Sequence, residues 1–181
     1  MIYVFLADGF EELEALAPVD ILRRGGCDVK TVGVSGKTAV GAHKIPVVCD
    51  ITAEEALTEG LEAVILPGGM PGTLNLEKSE CVCRFIDFAA EKGLYIGAIC
   101  AAPSILGHKG LLRGKKATCF PGFEKDLHGA EFLDIPVVTD GKITTACGAG
   151  AAFDFGFRLL SQLTGDEEGA DALKKSMKYN K

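Results

Sequence analysis

The most constraining stretch of this 181-residue chain is residues 94–110, LYIGAICAAPSILGHKG. Residues 94–99 form an apolar run dense enough for a strand buried on both faces, and from Ala102 onward small and apolar residues recur at helical spacing. Cys100 falls on the turn between the two. A strand that turns sharply into a helix leaves its corner residue strained, with the side chain projecting over the end of the sheet. Such a nucleophile elbow is usually flanked by glycines; here the flanks are Ala98 and Ala102, small enough for a tight turn. Unpaired amides and the helix dipole favour negative charge at this corner, so a stabilised thiolate is expected, with N–H groups such as that of Ala101 able to hold an oxyanion. The plain alternative is a cysteine that fills space, as buried cysteines often do.

The rest of the composition narrows the setting. The net charge is −6 and no basic cluster appears, which argues against nucleic acid and anionic membrane surfaces as partners. The seven cysteines are odd in number and scattered, and the chain begins directly with strand-like MIYVFLAD rather than a signal peptide. Free thiols in a reducing cytoplasm are therefore expected. No apolar run approaches the roughly 18 to 20 residues of a membrane span.

In chain order, residues 2–7 read as a buried strand and 11–24 as a helix, with Leu13, Leu16, Val19, Ile21 and Leu22 apolar. Pro18 should bend that helix or shift its start, and Gly25-Gly26 stop it. Residues 29–34 complete a βαβ unit, and 37–50 read as an antiparallel excursion. A short helix over 53–59, a strand over 63–66 and an amphipathic helix over 79–92 lead into the elbow. Beyond it, 116–120 reads as a strand and 121–130 as a loop. Asp140-Gly141 marks a hairpin between 137–139 and 142–145, 148–163 is a buried helix, and 166–177 a polar amphipathic one. Strands alternating with helices predict one layered α/β domain over residues 1–181, its mostly parallel sheet covered by helices on both faces.

Ligands bind such sheets beyond the carboxyl ends of the strands. Asp8-Gly9, Pro67-Gly68-Gly69 and Cys100 all fall at such ends and should converge. The glycines at 68 and 69 would let backbone amides approach an anion, unless they serve only a tight turn. The acidic run Glu11-Glu12-Leu13-Glu14 follows the first strand end. Helical spacing puts Glu11 and Glu14 on one side and Glu12 elsewhere. These carboxylates either complement the helix dipole or face the thiol, where an apolar pocket would raise a carboxyl pKa and let it donate to the thiolate.

Four segments in order, LADGFEELEALAPVDILRRGG, VILPGGMPG, AICAAPSIL and CGAGAAFDFGFRLL, resemble the ThiJ/PfpI superfamily over essentially the whole chain. The branch they resemble is that of the Parkinson-associated redox protein and its bacterial relatives. The resemblance implies a flavodoxin-like three-layer sandwich, related to class I glutamine amidotransferases, and a homodimer. It implies Cys100 as the reactive cysteine, Glu14 as the glutamate that hydrogen-bonds it, and Gly68, Gly69 and Ala101 as the oxyanion-type amides. No cofactor or metal is implied.

One position departs from the family pattern. Members described as catalytic often place a histidine near the cysteine in a Thr-His-Pro-like context; the matching stretch is residues 117–121, ATCFP, with Phe120 at the histidine position. His43, His108 and His128 lie elsewhere. Proton transfer would fall to Glu14, water or substrate, and losing general acid–base help of about 10²–10⁴-fold would slow turnover without removing the thiolate. Cys81 and Cys83 have the wrong spacing for a zinc knuckle, and Cys119 is the one plausible resolving partner for Cys100. Three function classes stay open. They are a cysteine enzyme acting on small carbonyls or glycated groups (glyoxalase or protein deglycase), a stress protein whose Cys100 oxidises, and a non-catalytic chaperone or binding dimer. Two labels sometimes given to relatives are weaker here: thiamine-precursor (hydroxyethylthiazole phosphate) synthesis, for want of a Walker-type phosphate loop, and peptidase, for want of a Cys-His pair.

Overall fold

Alternation along the first strand, β1 (Ile2–Leu6), sets the layering. Ile2, Val4 and Leu6 face one side of the sheet, Tyr3 and Phe5 the other, and all five are buried. The computed structural model describes residues 1–179. After β1 come α1 (Glu12–Arg24), β2 (Val29–Gly33), β3 (Thr38–Val40), β4 (Pro46–Val48), β5 (Ile51–Thr52) and β6 (Ala63–Leu66). Then follow α2 (Gly72–Lys78), α3 (Glu80–Lys92), β7 (Tyr95–Ile99), α4 (Pro103–His108), β8 (Lys116–Ala117) and β9 (Glu131–Phe132). The described chain closes with β10 (Val137–Asp140), β11 (Ile143–Ala146), α5 (Ala152–Thr164) and α6 (Glu167–Ser176).

Seven strands form the central sheet in the order β10-β11-β7-β6-β1-β2-β5, with every neighbouring pair parallel except β10 and β11. Helices α3 and α4 cover the Tyr3–Phe5 face through Val82, Phe85, Ile86, Ile105 and Leu106. Helices α1 and α5 cover the opposite face through Val19, Leu22, Phe155 and Leu160, with Ala170 of α6 packed beside them. This is the expected flavodoxin-like sandwich. Phe85 meets Tyr3 and Phe5 at ring-centroid distances of 5.4 and 5.3 Å, so its truncation to alanine should cost about 3–5 kcal/mol.

The departures are local and have physical causes. Residues 53–59 are turns rather than a helix: Leu57 donates its amide to the Tyr3 hydroxyl at 3.2 Å, and buried Ala56 holds the segment to the core. Helix α1 runs through Pro18 from Glu12, so the proline neither ends it nor delays its start beyond one residue. The expected strand over 116–120 shrinks to β8, paired with β9, which sequence reading did not anticipate. Helix α2 and the edge strand β5 were also not anticipated. The excursion over 37–50 is the antiparallel β3–β4 pair, and α5 begins at Ala152 after a 3-10 turn.

Candidate active site

The carboxyl ends of β1, β6 and β7 meet, as their sequence positions suggested. Glu11 donates its amide to the Gly68 carbonyl at 2.9 Å, and Gly72 donates to the Gly9 carbonyl at 3.2 Å. Cys100 follows β7 directly, with φ of +65°, a left-handed conformation that a side-chain-bearing residue rarely adopts. Two main-chain bonds hold it there. Its amide donates to the Ala146 carbonyl of β11, and its carbonyl accepts the Phe120 amide, each at 2.8 Å. The elbow is therefore tied to the sheet on one side and to the segment after β8 on the other.

Three residues address the sulfur. The carboxyl group of Glu14 is hydrogen-bonded to Cys100, and the amides of Gly69 and Ala101 point at the thiol. Glu14 reaches this place because it lies one turn inside α1, whose first turn is organised by Glu11. The Glu11 carboxylate caps the helix by accepting the Glu14 amide at 2.8 Å. Glu14 is only 1% exposed, and its Oε2 accepts the Gly68 amide at 2.9 Å. Gly68 was expected among the oxyanion amides; its N–H is instead committed to Glu14, so it orients the glutamate. Glu12 points away as expected, its Oε2 lying 2.8 Å from His43 Nδ1.

Electrostatics differ from the expectation of a simply stabilised thiolate. Burial, with the negative charge of Glu11 adding to it, pushes the Glu14 carboxyl from 4.5 to about 7. Burial first, then the charge of Glu14 and its hydrogen bond, push the Cys100 thiol up to about 12 against the pull of the Gly69 and Ala101 amides. Helix α4 also begins only at Pro103, so Cys100 stands outside its first turn. The two groups interact, and between those limits the pair holds one negative charge rather than two. With Glu14 protonated, the thiol is freed of its principal charged antagonist while the two amides remain in place.

No imidazole stands at this site among the described residues. His43 pairs with Glu12, His108 with Glu77 and Asp126, and the His128 ring lies against that of His108. Phe120 is 47% exposed, and a side chain built at Gly148 would meet its ring at 3.2 Å and Glu14 Oε1 at 4.0 Å. Phe120 and Glu14 thus flank Gly148, with a phenyl ring at the position where the resemblance leads to a histidine. Cys119 is only 2% exposed, whereas Cys100 is partly open, so burial withholds the Cys119 sulfur from reagents in solution.

The model of the DJ-1/PfpI family matches residues 1–162. The chain is 35% identical over 173 residues to the Parkinson disease protein 7 homolog of Danio rerio, covering 92% of this chain and 91% of that one. It is 31% identical over 169 residues to a glutathione-independent glyoxalase of Caenorhabditis elegans, covering 91% of this chain and 88% of that one. The chain spans only 41% and 43% of the lengths of the DJ-1 homologs B and A of Arabidopsis thaliana. Among solved structures, a cysteine-to-alanine mutant of a DJ-1 superfamily protein from Salmonella typhimurium superposes with a TM-score of 0.94 at 35% identity over 99% of this chain and 98% of that one. Oxidised DJ-1 of Toxoplasma gondii superposes with a TM-score of 0.94 at 28% identity, again over 99% and 98%.

Proposed function

The chain belongs to the DJ-1/PfpI family, and from that premise we propose that it is a stress-responsive thiol protein whose Cys100 is oxidised by peroxide, with Glu14 stabilising the product. The observation that carries this reading is the surround of the sulfur: one carboxyl that takes up its proton near neutrality, two backbone amides and no imidazole. Oxidation needs only a thiolate and room for oxygen. The sulfur displaces hydroxide from one peroxide to give a sulfenic acid, and a second peroxide supplies the second oxygen and leaves as water. The resulting sulfinate carries one negative charge, which protonated Glu14 and the amides of Gly69 and Ala101 are arranged to meet. An oxidised form of the Toxoplasma gondii protein shares this fold, in keeping with an oxidisable site.

A second reading rests on the relative named as a glutathione-independent glyoxalase. Cys100 sulfur would add to an aldehyde carbon of a small dicarbonyl, the carbonyl oxygen would take the electron pair against the two amides, and Glu14 would supply its proton. Later proton movements on the adduct would rely on Glu14 alone, so turnover would be slow. The same protein acts as a pair: Leu13 and Leu16 of α1 and Ile45 and Val48 of the adjoining hairpin are exposed together, and Ala42 donates to the Phe10 carbonyl where hairpin and helix meet.

Graded peroxide followed by peptide mass spectrometry tests the first reading. The expected result is two oxygens added at Cys100 at doses that leave Cys27, Cys49 and Cys83 unmodified. Reaction of Cys100 no faster than these controls would sink it. Rapid methylglyoxal turnover lost in Cys100→Ser would move the balance to the second.

A further inference from the structure

Two of the three histidines meet on the far side of α4 from its elbow end. His108 closes α4, and His128 follows the 3-10 turn Glu124–Asp126 by two residues. The His108 and His128 ring centroids are 5.2 Å apart, and His108 Nε2 lies 3.5 Å from Asp126 Oδ1. One ligand atom from each of His108, Asp126 and His128 lies within 4.8 Å of the others. On the opposite edge of the ring, His108 Nδ1 lies 2.6 Å from Glu77 Oε1 of α2.

Backbone packing brings these residues together. A side chain at Gly107 would collide with the Asp126 carbonyl and stand 2.8 Å from Leu127 Cα, so the glycine is what lets the loop lie directly on α4. Leu127 is 2% exposed and anchors the loop in the core, and its neighbours Asp126 and His128 emerge on either side of it.

We propose that His108, Asp126 and His128 bind a divalent transition metal of the zinc type, with Glu77 as the positioning residue for His108. Two imidazoles and one carboxylate make a nitrogen-rich donor set, which suits zinc and its neighbours and disfavours magnesium and calcium. Glu77 accepts the Nδ1–H, which leaves Nε2, 3.5 Å from Asp126 Oδ1, as the nitrogen that gives up its proton to take a metal, the carboxylate–histidine arrangement that supports metal sites from the outer shell. Zinc bonds of about 2.0–2.1 Å place tetrahedral ligands roughly 3.3 Å apart, so these side chains need close by no more than about 1.5 Å from the observed limit of 4.8 Å. A fourth position is left for water. The grouping of Glu11, Glu12 and His43 has a similar make-up but does not compete. It has a single imidazole, Glu12 already accepts from the His43 amide and meets its ring, and Glu11 caps α1.

The chain carries only three histidines, so their imidazole proton resonances report the site with an internal control. Titrating Zn²⁺ into the full chain at neutral pH should shift His108 and His128 together, saturating at one metal per chain, while His43 stays still. Co²⁺ in place of Zn²⁺ should give weak visible bands without thiolate-to-metal charge transfer. His128→Ala should abolish the saturable step, and Glu77→Ala should weaken it by about 10–100-fold although Glu77 touches no metal. Shifts confined to His43, no movement of His108 and His128, thiolate charge transfer at the same stoichiometry, or unchanged binding in His128→Ala would each overturn the assignment.

Discussion

Gly68 donates its amide to Glu14 Oε2 at 2.9 Å, and the space where a side chain would stand is taken by that same oxygen and by Cys100 Cβ, each 2.6 Å away. Backbone approach and hydrogen bonding at this residue therefore serve one purpose, setting the glutamate against the thiol. A Gly68→Ala chain must displace one of the two groups. It should lose about 1–3 kcal/mol of stability by chemical denaturation, and peptide-resolved alkylation should show a changed rate at Cys100 but not at Cys27. Wild-type values in both measurements would mean that the contact is slack.

Stability should depend on pH through Glu14. Its carboxyl stands near 7 in the folded chain against an ordinary 4.5. Folding thus favours the protonated form: the contribution is fully present below pH 4.5 and is lost as pH rises through 7. The gap corresponds to roughly 3 kcal/mol. Glu14→Gln should remove that decline, so the difference in unfolding free energy between wild type and variant should change steadily in the variant's favour from acid to neutral pH. A difference that stays constant with pH would refute the assignment.

Cys100 reactivity should move in the opposite sense to a simple loss of support. Burial first, and then the charge and hydrogen bond of Glu14, raise the thiol to about 12. Glu14→Gln removes the charge, so the pH midpoint of Cys100 alkylation should fall, and the step near 7 that belongs to Glu14 should vanish. An upward move would show that the carboxyl acts mainly as a donor to the thiolate.

Phe120→His tests the missing imidazole. The substitution puts a general base beside the Glu14–Cys100 pair, and turnover of methylglyoxal should rise by about 10²–10⁴-fold if proton relay is what limits carbonyl chemistry. Peroxide oxidation of Cys100 should change far less. No gain in turnover from a folded variant would place the limit elsewhere.

Val48 of the β3–β4 hairpin and Leu13 of α1 are 72% and 57% exposed. Light scattering should give the mass of two chains, and Leu13→Lys with Val48→Lys should give one. A wild-type monomer would remove the dimer from the proposal.

Much of this architecture was legible from apolar alternation and glycine. The run at 94–99 followed by Cys100 and Ala102 specified the elbow because a buried strand and a small-residue helix leave few ways to join. The helical offset within Glu11-Glu12-Leu13-Glu14 separated Glu14 from Glu12, and the structure sends one to Cys100 and the other to His43. What escaped was decided by distant partners. Residues 53–59 have helix-forming composition, yet Leu57 gives its amide to Tyr3, more than fifty positions earlier. The raised thiol of Cys100 depends on burial, which no local motif encodes. The meeting of His108 with His128 depends on how closely the chain packs at Gly107, and the sequence reading left His128 in an irregular loop.

The bond from Phe120 to the Cys100 carbonyl is made by main chain alone. Whatever residue occupies position 120, other than proline, can brace the strained corner equally well. The brace and the chemistry next to the sulfur are thus inherited separately. A lineage can exchange phenyl for imidazole at this position, trading an oxidation-tolerant wall for a proton carrier, without rebuilding the corner that presents the thiol.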